Sequence, residues 1–334
     1  MKIAIVKLSA LGDIVHSMIV LQIIKKYNPE ILIDWVVEDS YKELLEFHPD
    51  INKVFTVRIR KAKKKKSLNI LFKELKKIRR LDSYDLVIDM QGLIKSAFIS
   101  KLIPSKKTLG FDKNSIREKA ASIFYDKSFN IKYDENIVNR NVKLIKFALD
   151  LPFDLNELNT KLPFLFSIHR YTIQELSKTK KNILLIPGAS KTSKRYPAQS
   201  FARIAHSLDA NFLVLWGNAD EESIANEIQY SNPSAHICPK LSIAKVVFLI
   251  SQVDLVIGSD TGPTHFAWAL NIPSITLFGS TPGYRNSYET EINKIIESES
   301  KVDPYNLNRN DFSIKTIQVN EVVKIANYLL TVSI

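Results

Sequence analysis

Short β-branched apolar runs alternate along the chain with longer stretches whose apolar residues recur at three- and four-residue spacing, the pattern of βα units on a parallel sheet. In the first half the runs predict strands at IAIVK (3–7), ILIDWVV (31–37), KVFTV (53–57) and DLVIDM (85–90). The cycle restarts with NILLIPG (182–188) and continues through FLVLWG (212–217), DLVIGS (254–259) and SITLFG (274–279). Between the cycles, Leu151 to Lys181 carries Pro152, Pro163 and the lysine-rich SKTKKN, which predicts a linker. The expected division is 1–155, a linker at 156–181, a second domain at 182–315 and a terminal segment at 316–334. In that segment, VNEVVKIANYLLTV (319–332) places Val322, Val323, Ala326, Leu329 and Leu330 on one stripe with Asn320 as cap. This helix is expected to cross back onto the first domain.

A length of 334 residues suits two domains, and no apolar run approaches the roughly 18 to 20 residues that cross a bilayer. The opening MKIAIVKLSALGD reaches Gly and Asp too early for a secretory segment and reads as the first strand of a cytoplasmic protein. The single cysteine, Cys238, can form neither an internal disulfide nor a thiolate cluster, in keeping with a reducing compartment. Charge is distributed unevenly. Residues 51–150 hold 25 Lys and Arg against 10 Asp and Glu, so the formal net charge of +12 originates there. RIRKAKKKKS (58–67) and FKELKKIRR (72–80) are the densest parts, a footprint for nucleic acid, anionic lipid or a phosphorylated glycan.

Three strand ends carry candidate chemistry. At the first, Ser9-Ala10-Leu11-Gly12-Asp13 is neither GxGxxG nor a Walker loop, so dinucleotide and P-loop readings lose their support. Asp13 precedes an apolar helix and has two open roles. A cap needs only an oxygen acceptor, whereas a general base needs a titratable carboxylate. At the second, GSDTGPTH (258–265) leads into a helix whose first N–H groups suit a phosphate. Asp260 would repel that anion and is expected to take sugar hydroxyl hydrogens instead; His265 is either a phosphate donor or a packed helix residue. The third, PGASKTSKRYP (187–197), offers small and hydroxyl residues with Lys191, Lys194 and Arg195, a charge neutraliser for a departing diphosphate or an ordinary basic loop. No Asp-x-Asp pair ends a strand, so metal independence is expected.

Taken in order, SALGDIVHS (9–17), DMQGLIKSA (89–97), SIREKAASIFY (115–125), KRYP (194–197) and GSDTGPTH resemble the ADP-heptose:lipopolysaccharide heptosyltransferases of glycosyltransferase family 9. DMQGLIKSA and REKAASIFY look like the type I members, which add the first heptose to Kdo on lipid A; the PGA…KRYP loop looks closer to type II. The resemblance implies an α/β GT-B fold, two Rossmann-like doubly wound domains facing across a cleft, with acceptor on the first and donor on the second. It implies an inverting displacement without cofactor or metal. Asp13 would be the base, and Ser190, Thr192, Lys194, Glu221, Leu241, Asp260, Thr261, Gly262 and His265 would hold ADP-heptose. Arg60, Lys64 and Arg117 are the candidates for the anions of a Kdo-lipid A acceptor. A peripheral protein on the cytoplasmic face of the inner membrane is expected. Two alternatives compete: a GT-B transferase with another donor such as a UDP-hexosamine, and a nucleic-acid module. The second lacks stacking platforms, since Phe72 is the one aromatic residue between Arg58 and Arg80.

Overall fold

Ile3, Ala4, Ile5 and Val6 are all without solvent exposure, as a strand covered by helices on both faces requires. The computed structural model describes residues 1–168 and 170–331. It divides into two units, Met1–Phe164 and Leu165–Ile334.

The first unit holds β1 (Lys2–Val6), α1 (Leu11–Tyr27), β2 (Leu32–Glu38), β3 (Lys53–Val57), α2 (Ile59–Lys64), α3 (Leu68–Ile78), β4 (Leu86–Asp89), α4 (Ile94–Leu102), β5 (Thr108–Phe111), β6 (Lys127–Phe129) and α5 (Ile137–Leu149). Its sheet is parallel, in the order β3-β2-β1-β4-β5-β6. Direction of winding reverses between β1 and β4, so the loops leaving these two strands border the crevice where such sheets take ligands. α1 buries ten consecutive or near-consecutive residues from Ile14 to Ile24 and packs on α5, which explains an apolar sequence with no polar face.

The second unit repeats the plan with β7 (Asn182–Ile186), α6 (Ala198–Ser207), β8 (Asn211–Val214), α7 (Ala219–Ser231), β9 (His236–Ile237), α8 (Ile243–Ile250), β10 (Leu255–Ser259), α9 (Thr264–Leu270), β11 (Ser274–Phe278), α10 (Gly283–Asn286), β12 (Asn293–Glu297) and α11 (Val319–Thr331). The order is β12-β11-β10-β7-β8-β9, again all parallel, with the reversal between β7 and β10.

Two boundaries differ from the sequence expectation. Residues 156–164, expected in the linker, belong to the first unit: Glu157 accepts from Tyr27 Oη (2.7 Å) and pairs with Lys26, while Leu158 and Phe164 are buried. The closing helix, expected on the first domain, completes the second unit's core. Val322, Ala326 and Leu329 of α11 sit among Ile183, Phe201 and Ile275, and Tyr196 Oη donates to Ile317 O (2.9 Å) at its entrance. The stripe is satisfied by the nearest apolar surface in its own unit, the face of α6 and the sheet. Val332, the last residue of the expected run, lies outside the described residues.

His48 gives this unit a pH dependence. It is 5% exposed, and burial pushes its imidazole down to about 4 against an opposing hydrogen bond with the Phe164 backbone. Nδ1 accepts from the Asp50 N–H (3.2 Å), a bond that protonation would destroy. Between the ordinary value near 6.5 and about 4, the unfolded chain binds a proton that the folded chain refuses, so stability falls on acidification through that window, by on the order of 3 kcal/mol. In His48→Gln this part of the slope should vanish. Urea midpoints at pH 7 and pH 4.5 test it, and parallel losses in both proteins would acquit His48.

Candidate functional site

The loop after β1 carries Asp13 to the reversal point of the first sheet. The helix begins at Leu11, three residues earlier than a cap at Asp13 needs, so Ala10 is the N-cap and Asp13 is the third helical residue. Its Oδ2 reaches back to accept from the Ala10 N–H (3.1 Å), half of a capping box; Ala10 has no side-chain oxygen for the other half. The residue is exposed, and among the described residues its Oδ1 has no partner. Asp13 therefore contributes to the helix end with one oxygen, while the other is left unengaged among the described residues.

DMQGLIKSA forms the bracket that holds this loop. Gln91 Oε1 accepts from the N–H of Leu8 (2.7 Å) and of Ser9 (3.1 Å), and its Nε2 donates to Ser9 Oγ (3.2 Å). Gln91 is fixed in turn by Asp89, whose Oδ1 accepts from the N–H of Gln91 (2.8 Å) and Gly92 (3.2 Å). Tyr125 Oη donates to Asp89 Oδ2 (2.8 Å), joining the end of SIREKAASIFY to the same point. Burial pushes the Asp89 carboxyl up, opposed by these hydrogen bonds. Gly92 has φ +68°, and a Cβ there would stand 2.5 Å from Ile116 Cγ2, so the turn needs glycine.

The proposed acceptor cations only partly converge. Arg60, in the first turn of α2, gives its backbone N–H to Glu38 Oε1 (2.9 Å) and its guanidinium to Tyr41 Oη (2.5 Å). Glu38 is 2% exposed at the end of β2, and burial pushes its carboxyl up while the Arg60 N–H, Lys95 and Arg60 draw it down. Arg117 is exposed beside Glu118, whose Oε2 caps the Ile94 N–H at the start of α4 (2.7 Å). Lys64 is exposed at the far end of α2, and no contact ties it to the others. Lys95 was missed by the sequence reading. It stands in the first turn of α4, where the helix dipole disfavours a cation, and burial followed by the Arg60 charge pushes its ammonium down.

In the second unit the ends of β10 and β11 and the loop after β7 converge on Asp260. Lys194 Nζ donates to Oδ2 (2.5 Å), Thr281 Oγ1 donates to the same oxygen (2.7 Å), and His265 Nε2 lies 3.2 Å from Oδ1. Asp260 is 9% exposed; burial opposes its ionisation, but the Lys194 charge and the His265 hydrogen bond hold its carboxyl well below the usual range. The expectation that Lys194 meets a diphosphate and Asp260 a sugar is thereby modified: in this structure the two hold each other. Capacity remains, since an ammonium has three donors and a carboxylate about four acceptor sites. His265, open between donor and packed residue, is buried and paired with Asp260. α9 has only seven residues and starts at Thr264, whose Oγ1 donates to Ser259 O (2.9 Å). Among the described residues, the N–H groups of Thr261 and Gly262 before it donate to nothing.

Glu221, in the first turn of α7, accepts from the Gly217 N–H (2.9 Å) and leans across Gly188, where a Cβ would meet its Cδ at 2.5 Å. Glycine at 188 therefore lets the loops after β7 and β8 touch. Leu241 is half-buried between β9 and α8, and Ser190 and Thr192 are exposed. Thr281 was also missed, because a lone threonine 21 residues from Asp260 carries no local signal. Among the described residues no three His, Cys, Asp or Glu side chains stand together as a metal site, and no helix is long and apolar enough to cross a membrane.

Residues 71–305 match the family model described as glycosyltransferase family 9 (heptosyltransferase). The chain is 39% identical to the lipopolysaccharide heptosyltransferase 1 of Campylobacter coli, covering 98% of this chain and 99% of that one. With the protein of the same description from Pseudomonas aeruginosa it shares 28% over 86% and 81%. Among solved structures, Escherichia coli heptosyltransferase WaaC with ADP has a TM-score of 0.80 at 23% identity, covering 98% of this chain and all of that one, a likeness that carries the fold.

Proposed function

The chain belongs to glycosyltransferase family 9, and from that premise we propose that it transfers L-glycero-D-manno-heptose from ADP-heptose to a Kdo hydroxyl of Kdo-lipid A. The observation that carries this reading is the 39% identity, end to end, with a lipopolysaccharide heptosyltransferase 1. Asp13 Oδ1 takes the proton of the acceptor hydroxyl as its oxygen attacks the anomeric carbon from the side opposite the diphosphate. The bond to the diphosphate breaks and ADP departs with its electron pair, inverting the centre. Lys194 neutralises charge growing on the leaving diphosphate, the free N–H groups of Thr261 and Gly262 and His265 hold it, and Asp260 orients the sugar hydroxyls. Glu221 meets the adenosine ribose, Leu241 covers adenine, and Ser190 and Thr192 line the same loop. Arg60, Lys95 and Arg117, with Lys64 further out, take the acceptor's carboxylates and phosphates on the cytoplasmic face of the inner membrane.

The test is incubation with ADP-heptose and Kdo-lipid A, followed by mass analysis. A gain of one heptosyl residue supports the reading. Transfer only to an acceptor already carrying one heptose assigns the second-heptose reaction, and thermal stabilisation by UDP in place of ADP would overturn the donor.

Gln91 is a positioning residue in this scheme. Gln91→Leu should lower kcat about tenfold by letting the Asp13 loop drift, since small misplacements of a catalytic group are costly, with donor KM little changed. Gln91→Glu keeps both accepted bonds and should restore most of the rate. A merely structural role would lower the yield of folded protein without that split or rescue.

A further inference from the structure

Helix α3 faces solvent with a combination that folding alone does not explain. Leu68 is 69% and Phe72 68% exposed, while Ile78 turns inward and is buried. Leu68, Phe72 and Lys76 follow at four-residue intervals and so share one line along the exposed side. Around that line, no lysine between 61 and 76 forms an ion pair among the described residues, and Glu74 is the one acidic side chain between 51 and 81. Ser67 Oγ accepts from the Ile70 N–H (3.3 Å) and caps the helix, so its first turn is ordered where the apolar pair stands.

We propose that α3 is a membrane-docking helix, lying in the headgroup layer of an anionic bilayer with Leu68 and Phe72 inserted and the surrounding lysines on lipid phosphates. The chemistry selects this partner. A second copy of the chain would bring like charge against like charge, and a nucleic acid would find one aromatic platform and no partner for the exposed Leu68. A bilayer surface answers both features, taking apolar side chains at the acyl boundary and cations at the phosphates. The proposal rests on the reading above in one respect: a lipid-borne acceptor gives docking its purpose, by bringing Arg60 and the rest of the basic α2 to the surface where the acceptor lies.

The experiment is vesicle flotation of the whole protein with phosphatidylglycerol/phosphatidylethanolamine vesicles and with phosphatidylcholine vesicles, run beside heptosyl transfer to a deacylated, water-soluble Kdo acceptor. The wild-type chain should float with the anionic vesicles only, and less at high salt. Leu68→Ser/Phe72→Ser should reduce the partition at least about tenfold while transfer to the soluble acceptor stays within about twofold, since both side chains leave water on docking. Phe72→Ser alone should give part of the loss, and serves if the double variant is unstable. Wild-type partition by either variant overturns the proposal, as does loss of soluble-acceptor activity in step with partition, or a concentration-dependent dimer that the variants abolish. Failure of the wild-type chain to transfer heptose would sink the functional reading while leaving the flotation result standing.

Discussion

Asp13→Asn should lower turnover by at least about a hundredfold, within the usual general-base range of about 10² to 10⁴, while leaving the fold and ADP binding almost intact. The separation follows from what each oxygen does. An asparagine carbonyl can still accept from the Ala10 N–H, the bond that the carboxylate makes at 3.1 Å, so α1 keeps its start. What the helix loses is a negative charge in its first turn, roughly 0.3 to 1 kcal/mol at an exposed position. What the reaction loses is its proton acceptor, because an amide oxygen cannot take the acceptor hydroxyl's proton at neutral pH. Single-turnover transfer of heptose, with melting temperature and ADP affinity alongside, measures all three. A variant that transfers at close to the parental rate would make Asp13 a helix-end residue and leave the base unassigned.

Legibility in the sequence followed contact distance. Strands that lie centrally and are buried throughout, such as β7 and β10, or from their second residue on, as in β1, announce themselves as apolar runs. The strands that escaped were β5, β6, β9 and β12, of two to five residues. Three of these lie at a sheet edge and the fourth, β5, beside one; all carry polar residues, too short a stretch for any period to emerge. Asp13, Lys194, Asp260 and His265 were readable because each lies in the short segment or first helical turn that follows a strand. Gln91 was not, since its contacts with Leu8 and Ser9 span 83 and 82 residues and exist only once β4 lies beside β1. Lys95 did leave a trace, a lysine at a helix start where a carboxylate is favoured, and such a local conflict is a reasonable flag for a binding residue. The closing helix was visible as a stripe, but a stripe names no partner.

Lys194→Ala should fail in two separable ways. The ammonium is the nearest full cation to Asp260, at 2.5 Å, so its removal leaves a buried carboxylate with only a hydroxyl and a histidine. Breaking such a pair costs about 3 to 5 kcal/mol when both partners are enclosed, and the low end applies here because Lys194 keeps 16% side-chain exposure. Asp260 has a depressed carboxyl in the folded chain, so the pair stabilises above the ordinary carboxylate pKa and loses its effect as pH falls toward the folded value. The stability gap between parent and variant should therefore be full at pH 7 and begin to narrow only below about pH 4, with most of it still present at pH 3. The kinetic loss has another signature. Charge on the departing diphosphate is greatest in the transition state, so kcat should fall about 10² to 10³ with a smaller change in donor KM, and Lys194→Arg should recover part of it. Denaturation curves at the two pH values and initial rates across donor concentration separate the two effects. A raised donor KM with kcat untouched would reduce Lys194 to a ground-state anchor and move the neutralising role elsewhere on the loop.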